Sequence, residues 1–180
     1  FRKALTLAVD RQSLIKYFLN DKTRLAEQIL PPEHWANEKI NTLDYNPSLA
    51  RKYIKELGIK EPIVLTLKTS TDPFRVKIAT LIQKQFKSIG VKLTIKSLDW
   101  GTYFKDIQAG EFQLYGLTWV GIRNPEIYEK IFNSKFIPPK GLNRAGYTNQ
   151  KMDELIINAK IFNQWDKVIK KVNTDNVFMP

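Results

Sequence analysis

The stretch 63–98, IVLTLKTSTDPFRVKIATLIQKQFKSIGVKLTIKSL, decides the fold. Ile63–Leu67 is a short run rich in β-branched and large apolar residues, and it leads into the polar loop Thr69-Ser70-Thr71. Asp72-Pro73 then reads as a helix start, a capping carboxylate followed by proline at the first helical position. Phe74, Ile78, Leu81, Ile82, Phe86 and Ile89 keep helical spacing until Gly90 ends the run. Beyond it, Val91, Leu93 and Ile95 alternate with Lys92, Thr94 and Lys96, the pattern of a half-buried strand. The unit predicted is strand, crossover helix, strand.

Further along, Trp100–Gln108 reads as a helix with Tyr103, Phe104 and Ile107 on one side, closed by Gly110. Phe112–Trp119 reads as a third strand, and Asn124-Pro125 as the start of a helix running to Phe132. This alternation argues for an α/β domain with crossover helices. Toward the N-terminus, residues 1–20 read as a helix broken once, with Asp10 capping the restart. Leu30-Pro31-Pro32 stops regular structure, 31–45 reads as a loop, and Asn46-Pro47 opens a helix closed by Gly58. After the loop 134–148, Thr148/Asn149 caps a helix carrying Met152, Leu155 and Ile156, and a last helix carries Trp165, Val168, Ile169 and Val172. Val177–Pro180 reads as the start of a strand.

Composition narrows the function classes. The 180 residues, 43% hydrophobic and 26% charged, suit one ordinary globular domain or one lobe of something larger. Apolar runs such as Leu114–Val120 are too short to span a membrane. The absence of cysteine excludes disulfides, thiolate metal sites and cysteine nucleophiles. A zinc site or a catalytic triad would hang on His34 alone, so no metal is expected. The acids Asp99, Asp106 and Glu111 lack the spacing of a paired-carboxylate site, and no glycine-rich phosphate loop is present. The formal charge of +11 raises a basic nucleic-acid-binding α/β module as an alternative, but the lysines are scattered and mostly alternate with apolar residues, as on a solvated face.

In open α/β sheets ligands gather beyond the carboxyl ends of the strands. Two places qualify: Thr69-Ser70-Thr71-Asp72, and Trp119-Val120-Gly121-Ile122-Arg123-Asn124. Taken alone, Trp119 reads as a core aromatic capping the sheet, and Asp72, Asn124 and Pro125 as helix starts. His34-Trp35, behind the double proline, reads as a loop anchored by a half-buried tryptophan.

The order of motifs resembles the family 5 extracellular solute-binding proteins, the dipeptide, oligopeptide and nickel binders that feed bacterial ABC importers. The resemblance rests on FRKALTLAVDRQSLI, ILPP, DYNPSLARKYIKELG, the long run from Pro73 to Leu114 with Ile89-Gly90-Val91 and Gly110-Glu111-Phe112, LTWVGIRNPEIYEKIFNSK, and LNRAGYTNQKMDELIINA. It implies a lobe of the type II periplasmic-binding-protein fold, a central mixed sheet flanked by helices, with residues 1–180 forming the C-terminal lobe of a two-lobed clamp. The chain opens inside an apolar-periodic pattern without a leader, as expected of a piece of a longer polypeptide.

By the same resemblance, Trp119 and the backbone of Val120, Gly121 and Ile122 meet a peptide or small-solute ligand, with Arg123 placed to meet a carboxylate; Thr69, Ser70 and Thr71, from the strand-end reading, and His34 and Trp35 are candidate rim positions. The implied partners are that ligand and the ABC permease's membrane subunits, not nucleic acid. The implied location is periplasmic or otherwise extracytoplasmic, free or lipid-anchored upstream of Phe1, and the implied mechanism is clamp closure without enzyme chemistry or cofactor. The third residue after the tryptophan is an aspartate in peptide binders, where it pairs with the free amine, and here it is Ile122. A buried ammonium facing isoleucine would lack a charge-assisted partner worth about 1.5–3 kcal/mol.

Overall fold

Two parallel strands organise the first part of the chain: β1 (Ile63–Ser70) and β2 (Val91–Leu98) pair residue for residue from Ile63↔Val91 to Ser70↔Leu98. The computed structural model describes residues 1–19, 23–37 and 43–175. Contacts divide the chain into two units: Phe1–Leu25, Leu43–Ile107 and Glu111–Thr118 make the first, and Ala26–Thr42, Gln108–Gly110 and Trp119–Pro180 the second.

In the first unit, helices α1 (Arg2–Leu7), α2 (Arg11–Leu19) and α3 (Pro47–Glu56) precede the sheet. Asp10 accepts from the Ser13 amide at 3.0 Å at the head of α2, and Asn46 caps α3 by accepting from the Leu49 amide at 2.9 Å. The Asn46 amide donates to the Leu7 carbonyl at 2.8 Å, tying the start of α3 to the end of α1. Helix α4 (Pro73–Ser88), capped by Asp72 on the Arg75 amide at 2.9 Å, carries the chain from β1 to β2. Its Ala79 and Phe86, with Ile89 behind it, are buried against Leu67, Val91 and Leu93 of the strands. Phe74 is the exception in the helical series: it is exposed and meets Phe18 edge-on at 5.7 Å.

Helix α5 (Trp100–Ala109) follows β2, its first turn held by Asp99, which accepts from the Thr102 amide at 3.0 Å. The Thr102 hydroxyl and amide hold the Asp99 carboxyl below its usual range, so this acid is a cap. An ion pair between Lys68 of β1 and Asp106 of α5, both largely buried, fastens the helix to the sheet.

Strand β3 is much shorter than the predicted 112–119. It comprises Leu114–Tyr115 alone, pairing as Leu67↔Leu114 and Lys68↔Tyr115, and sheet order is β2-β1-β3. The cause lies in other elements: the Gly116 carbonyl accepts from the Tyr103 hydroxyl at 2.6 Å and from Arg75 at 3.1 Å, which takes the chain out of the ladder. Where a mixed sheet was expected, the ladder is parallel throughout among the described residues; the strand start expected at Val177–Pro180 lies outside them.

The second unit is helical. Helices α6 (Ile127–Phe132), α7 (Gln150–Phe162) and α8 (Trp165–Asp175) bury Tyr128, Phe132, Met152, Ile156, Val168 and Ile169 together. Burial pushes the Tyr128 phenol well above its usual range, so the ring sits in this core as a neutral group. Asn149 caps α7 as predicted, accepting from the Met152 amide at 3.1 Å. Helix α6 starts later than predicted, because the Asn124 side chain accepts from the Glu126 amide at 3.0 Å in a turn of its own and the first helical residue is Ile127.

Core and cap carry different weights in the first unit. Phe86→Ala is expected to lower the free energy of unfolding by about 3–5 kcal/mol, from lost transfer energy and the cavity left behind. Asn46→Ala should cost about 0.5–2 kcal/mol. Urea denaturation of the two variants measures the difference, and equal losses would contradict this packing.

Candidate functional site

In the second unit, the segment 119–123 is an irregular loop anchored from beneath. Trp119 and Ile122 are half-buried against the helical core, while Val120 between them is 89% exposed. Gly121 has φ +72°, a left-handed conformation that L side chains rarely adopt, and it turns the chain between the two anchors. Arg123 is exposed.

Sequence reasoning missed what lies beneath Trp119. The guanidinium of Arg144, only 8% exposed, stands 5.3 Å from the centre of the indole ring. A cation over an aromatic face in a poorly solvated place is attracted by the ring's quadrupole, an interaction worth up to about 2 kcal/mol. Arg144 is held there by its neighbour Asn143, which is 0% exposed. The Asn143 amide donates to the carbonyls of Asn133 at 3.0 Å and Tyr147 at 2.7 Å, and its oxygen accepts from the Tyr147 amide at 3.1 Å. The signal available in the sequence was the Asn-Arg pair inside LNRAGY, with nothing local to say that it underlies a tryptophan.

The rings of His34 and Trp35 lie 5.5 Å apart centre to centre, but the two residues differ in what they anchor. The turn that carries them is pinned to the core by buried Leu30 and Ala36, and Trp35 is 64% exposed, so the expected anchoring tryptophan points outward while the alanine after it is the anchor. His34 reaches the candidate loop, its Nε2 lying 3.2 Å from the Arg123 carbonyl oxygen. Two of the predicted patches are thereby joined.

An open depression of about 210 Å³ lies beside them, between residues 121–124, Glu126, and Ile127 and Lys130 of α6. Its walls carry two cations, Arg123 and Lys130, and one carboxylate, Glu126. The apolar Ile122 stands in the same wall.

Thr69, Ser70 and Thr71 belong to the first unit. They were expected in a loop, but β1 continues through Ser70, and Thr69 and Ser70 are buried. The Ser70 carbonyl accepts from the Ser97 hydroxyl at 3.2 Å, and its own hydroxyl accepts from the Asp72 amide at 3.4 Å. Thr71 alone of the three is exposed.

No group of three or more acidic, histidine or cysteine side chains suited to a metal ion occurs among the described residues. No helix among them is long and apolar enough to cross a membrane. Lysines in ion pairs occur in both units, with Lys52 on α3, Lys68 on β1, Lys160 on α7 and Lys171 on α8.

Comparison with known proteins gives this site its context. The sequence profile of bacterial extracellular solute-binding proteins, family 5 Middle, matches residues 1–134. The dipeptide-binding protein of Escherichia coli K12 is 25% identical over 99% of this chain and 35% of its own length. Di/tripeptide-binding protein 3 of Pseudomonas aeruginosa is 32% identical over 67% of the chain and 24% of its own length. Among solved structures, the oligopeptide-binding protein AppA from Bacillus subtilis, in complex with a nonapeptide, superposes over 99% of the chain with a TM-score of 0.88 and 25% identity, using 40% of its own chain. NikZ from Campylobacter jejuni, in complex with Ni(L-His), shares the fold at a TM-score of 0.85 and 22% identity. The chain thus spans about a third of the length of the E. coli relative. With a profile match over most of its length and the α/β fold of these receptors, the chain belongs to family 5 of the bacterial extracellular solute-binding proteins.

Proposed function

We propose that this chain is the C-terminal lobe of the substrate-binding component of an ABC importer, working outside the cytoplasm. It would hold a peptide or other small solute in an interlobe cleft and deliver it to the membrane permease on clamp closure. The observation that carries the reading is the 119–123 loop, with a tryptophan seated on a buried arginine, an exposed Val120 and a depression at its side, in a chain of this family. Relatives named for dipeptides, di/tripeptides and oligopeptides make peptide the first substrate class. Reversible closure of a clamp makes and breaks no covalent bond, so no catalytic residue is assigned.

Ile122 qualifies the peptide reading. A free ammonium brought to this wall would find isoleucine in place of an aspartate, two cations nearby, and Glu126 as the one carboxylate. Either Glu126 takes over the amine, or the ligand's nearest end is uncharged or acidic: an amine-blocked peptide, a neutral solute, or a group whose carboxylate meets Arg123.

Native mass spectrometry of the full-length protein is expected to show a co-purified small solute. A repeatedly empty protein, or one carrying nucleic acid whose binding falls steeply with salt, would overturn the proposal. Trp119→Ala should weaken binding of that solute at least about tenfold, read by calorimetric titration, because an aromatic anchor of this kind dominates a small contact surface. Ile122→Asp should raise affinity for free-amine peptides by about ten- to a hundredfold over their amine-acetylated forms. No gain would mean that the loop does not meet the ligand's amine end.

A further inference from the structure

His34 makes two hydrogen bonds that constrain each other. The Ala36 amide donates to its Nδ1 at 3.1 Å, so Nδ1 must be the unprotonated, accepting nitrogen. In the neutral ring the proton is then on Nε2, the nitrogen 3.2 Å from the Arg123 carbonyl, and the ring donates to the candidate loop. A single tautomer satisfies both contacts.

The turn beneath is rigid enough for the contact to position the loop. The His34 amide donates to the Pro31 carbonyl at 2.9 Å, and the Asn37 amide to the His34 carbonyl at 2.8 Å. The Asn37 side chain donates to the carbonyls of Leu30 at 3.1 Å and Pro31 at 3.0 Å. Leu30 and Ala36 lock this turn into the core. The loop is therefore held by Trp119 and Ile122 from below and by His34 at the Arg123 carbonyl. Binding surfaces gain affinity when they are ordered before the ligand arrives.

We infer that His34 is a positioning residue for ligand recognition: its Nε2–H tethers the backbone of Arg123, and the Ala36 amide at Nδ1 selects the tautomer that does so. The inference rests on the proposed receptor function for its effect on affinity, but the tether itself can be tested without any ligand.

The two nitrogens can be separated by substitution. The amide of glutamine reaches as far as Nε2 and can donate to Arg123, whereas the amide of asparagine reaches only as far as Nδ1 and can accept from Ala36. In the full-length protein, His34→Asn is expected to keep the turn and to speed hydrogen exchange at the amides of 120–124, with His34→Gln close to wild type there. With an equimolar mixture of tri- and tetrapeptides, amine-free and amine-acetylated, as probe, His34→Asn should weaken binding about three- to tenfold and His34→Gln less than about twofold. Equal loop exchange in the two variants, with both retaining the wild-type circular dichroism spectrum, would overturn the tether. If the exchange pattern holds while the wild-type protein binds none of the peptides, the tether stands and peptide recognition falls.

Discussion

Parallel strands cannot be joined by a tight turn, and most of the first unit follows from that constraint. Because β1 and β2 run side by side in the same direction over eight paired positions, the chain must return along the sheet before the second strand can begin. Helix α4 makes the return, and its buried Ala79 and Phe86 are what the strands pack against. The carboxyl ends of both strands consequently lie at one edge. Asp72 and Asp99 cap the helices that leave it, and Gly116 is held by donors from α4 and α5. The brevity of β3 belongs to the same arrangement, since the bonds that fix Gly116 are bonds the ladder does not receive.

Local chemistry was legible in the sequence and long-range chemistry was not. Asn46-Pro47, Asp72-Pro73 and Asn149 announce helix starts because each cap acts on an amide three residues away. The alternation of β2 was readable because a strand with one face buried repeats every second residue. The end of β3 depended on Tyr103 and Arg75, both distant in sequence, and nothing within Phe112–Trp119 encodes it. Thr69 and Ser70 look like loop residues by type, yet they are the buried end of a strand whose polar groups find partners at Ser97 and Asp72.

The candidate site divides in the same way. Trp119 and Gly121 stand out from the sequence by residue type, and the resemblance to a known family explains why Ile122 matters. Arg144 was invisible as a site residue, because its meeting with Trp119 joins segments separated by a helix and a long loop. His34 drew notice as the sole histidine, but its role depends on the Arg123 carbonyl, a backbone atom that no residue type advertises. Contacts made through the backbone are the part of a binding site that sequence reading sees least.

The exposure of Val120 has a consequence of its own. The residue is almost wholly solvent-exposed, between two neighbours committed to the core. Substitutions at exposed positions away from caps and buried networks usually change stability by no more than about 0.5 kcal/mol. Substitution at this position, and of the exposed Arg123 side chain with it, would therefore leave the packing beneath intact. The loop thus separates residues that keep its shape from residues whose replacement the packing beneath would not register, so its outer surface can change chemistry while the fold stays as it is.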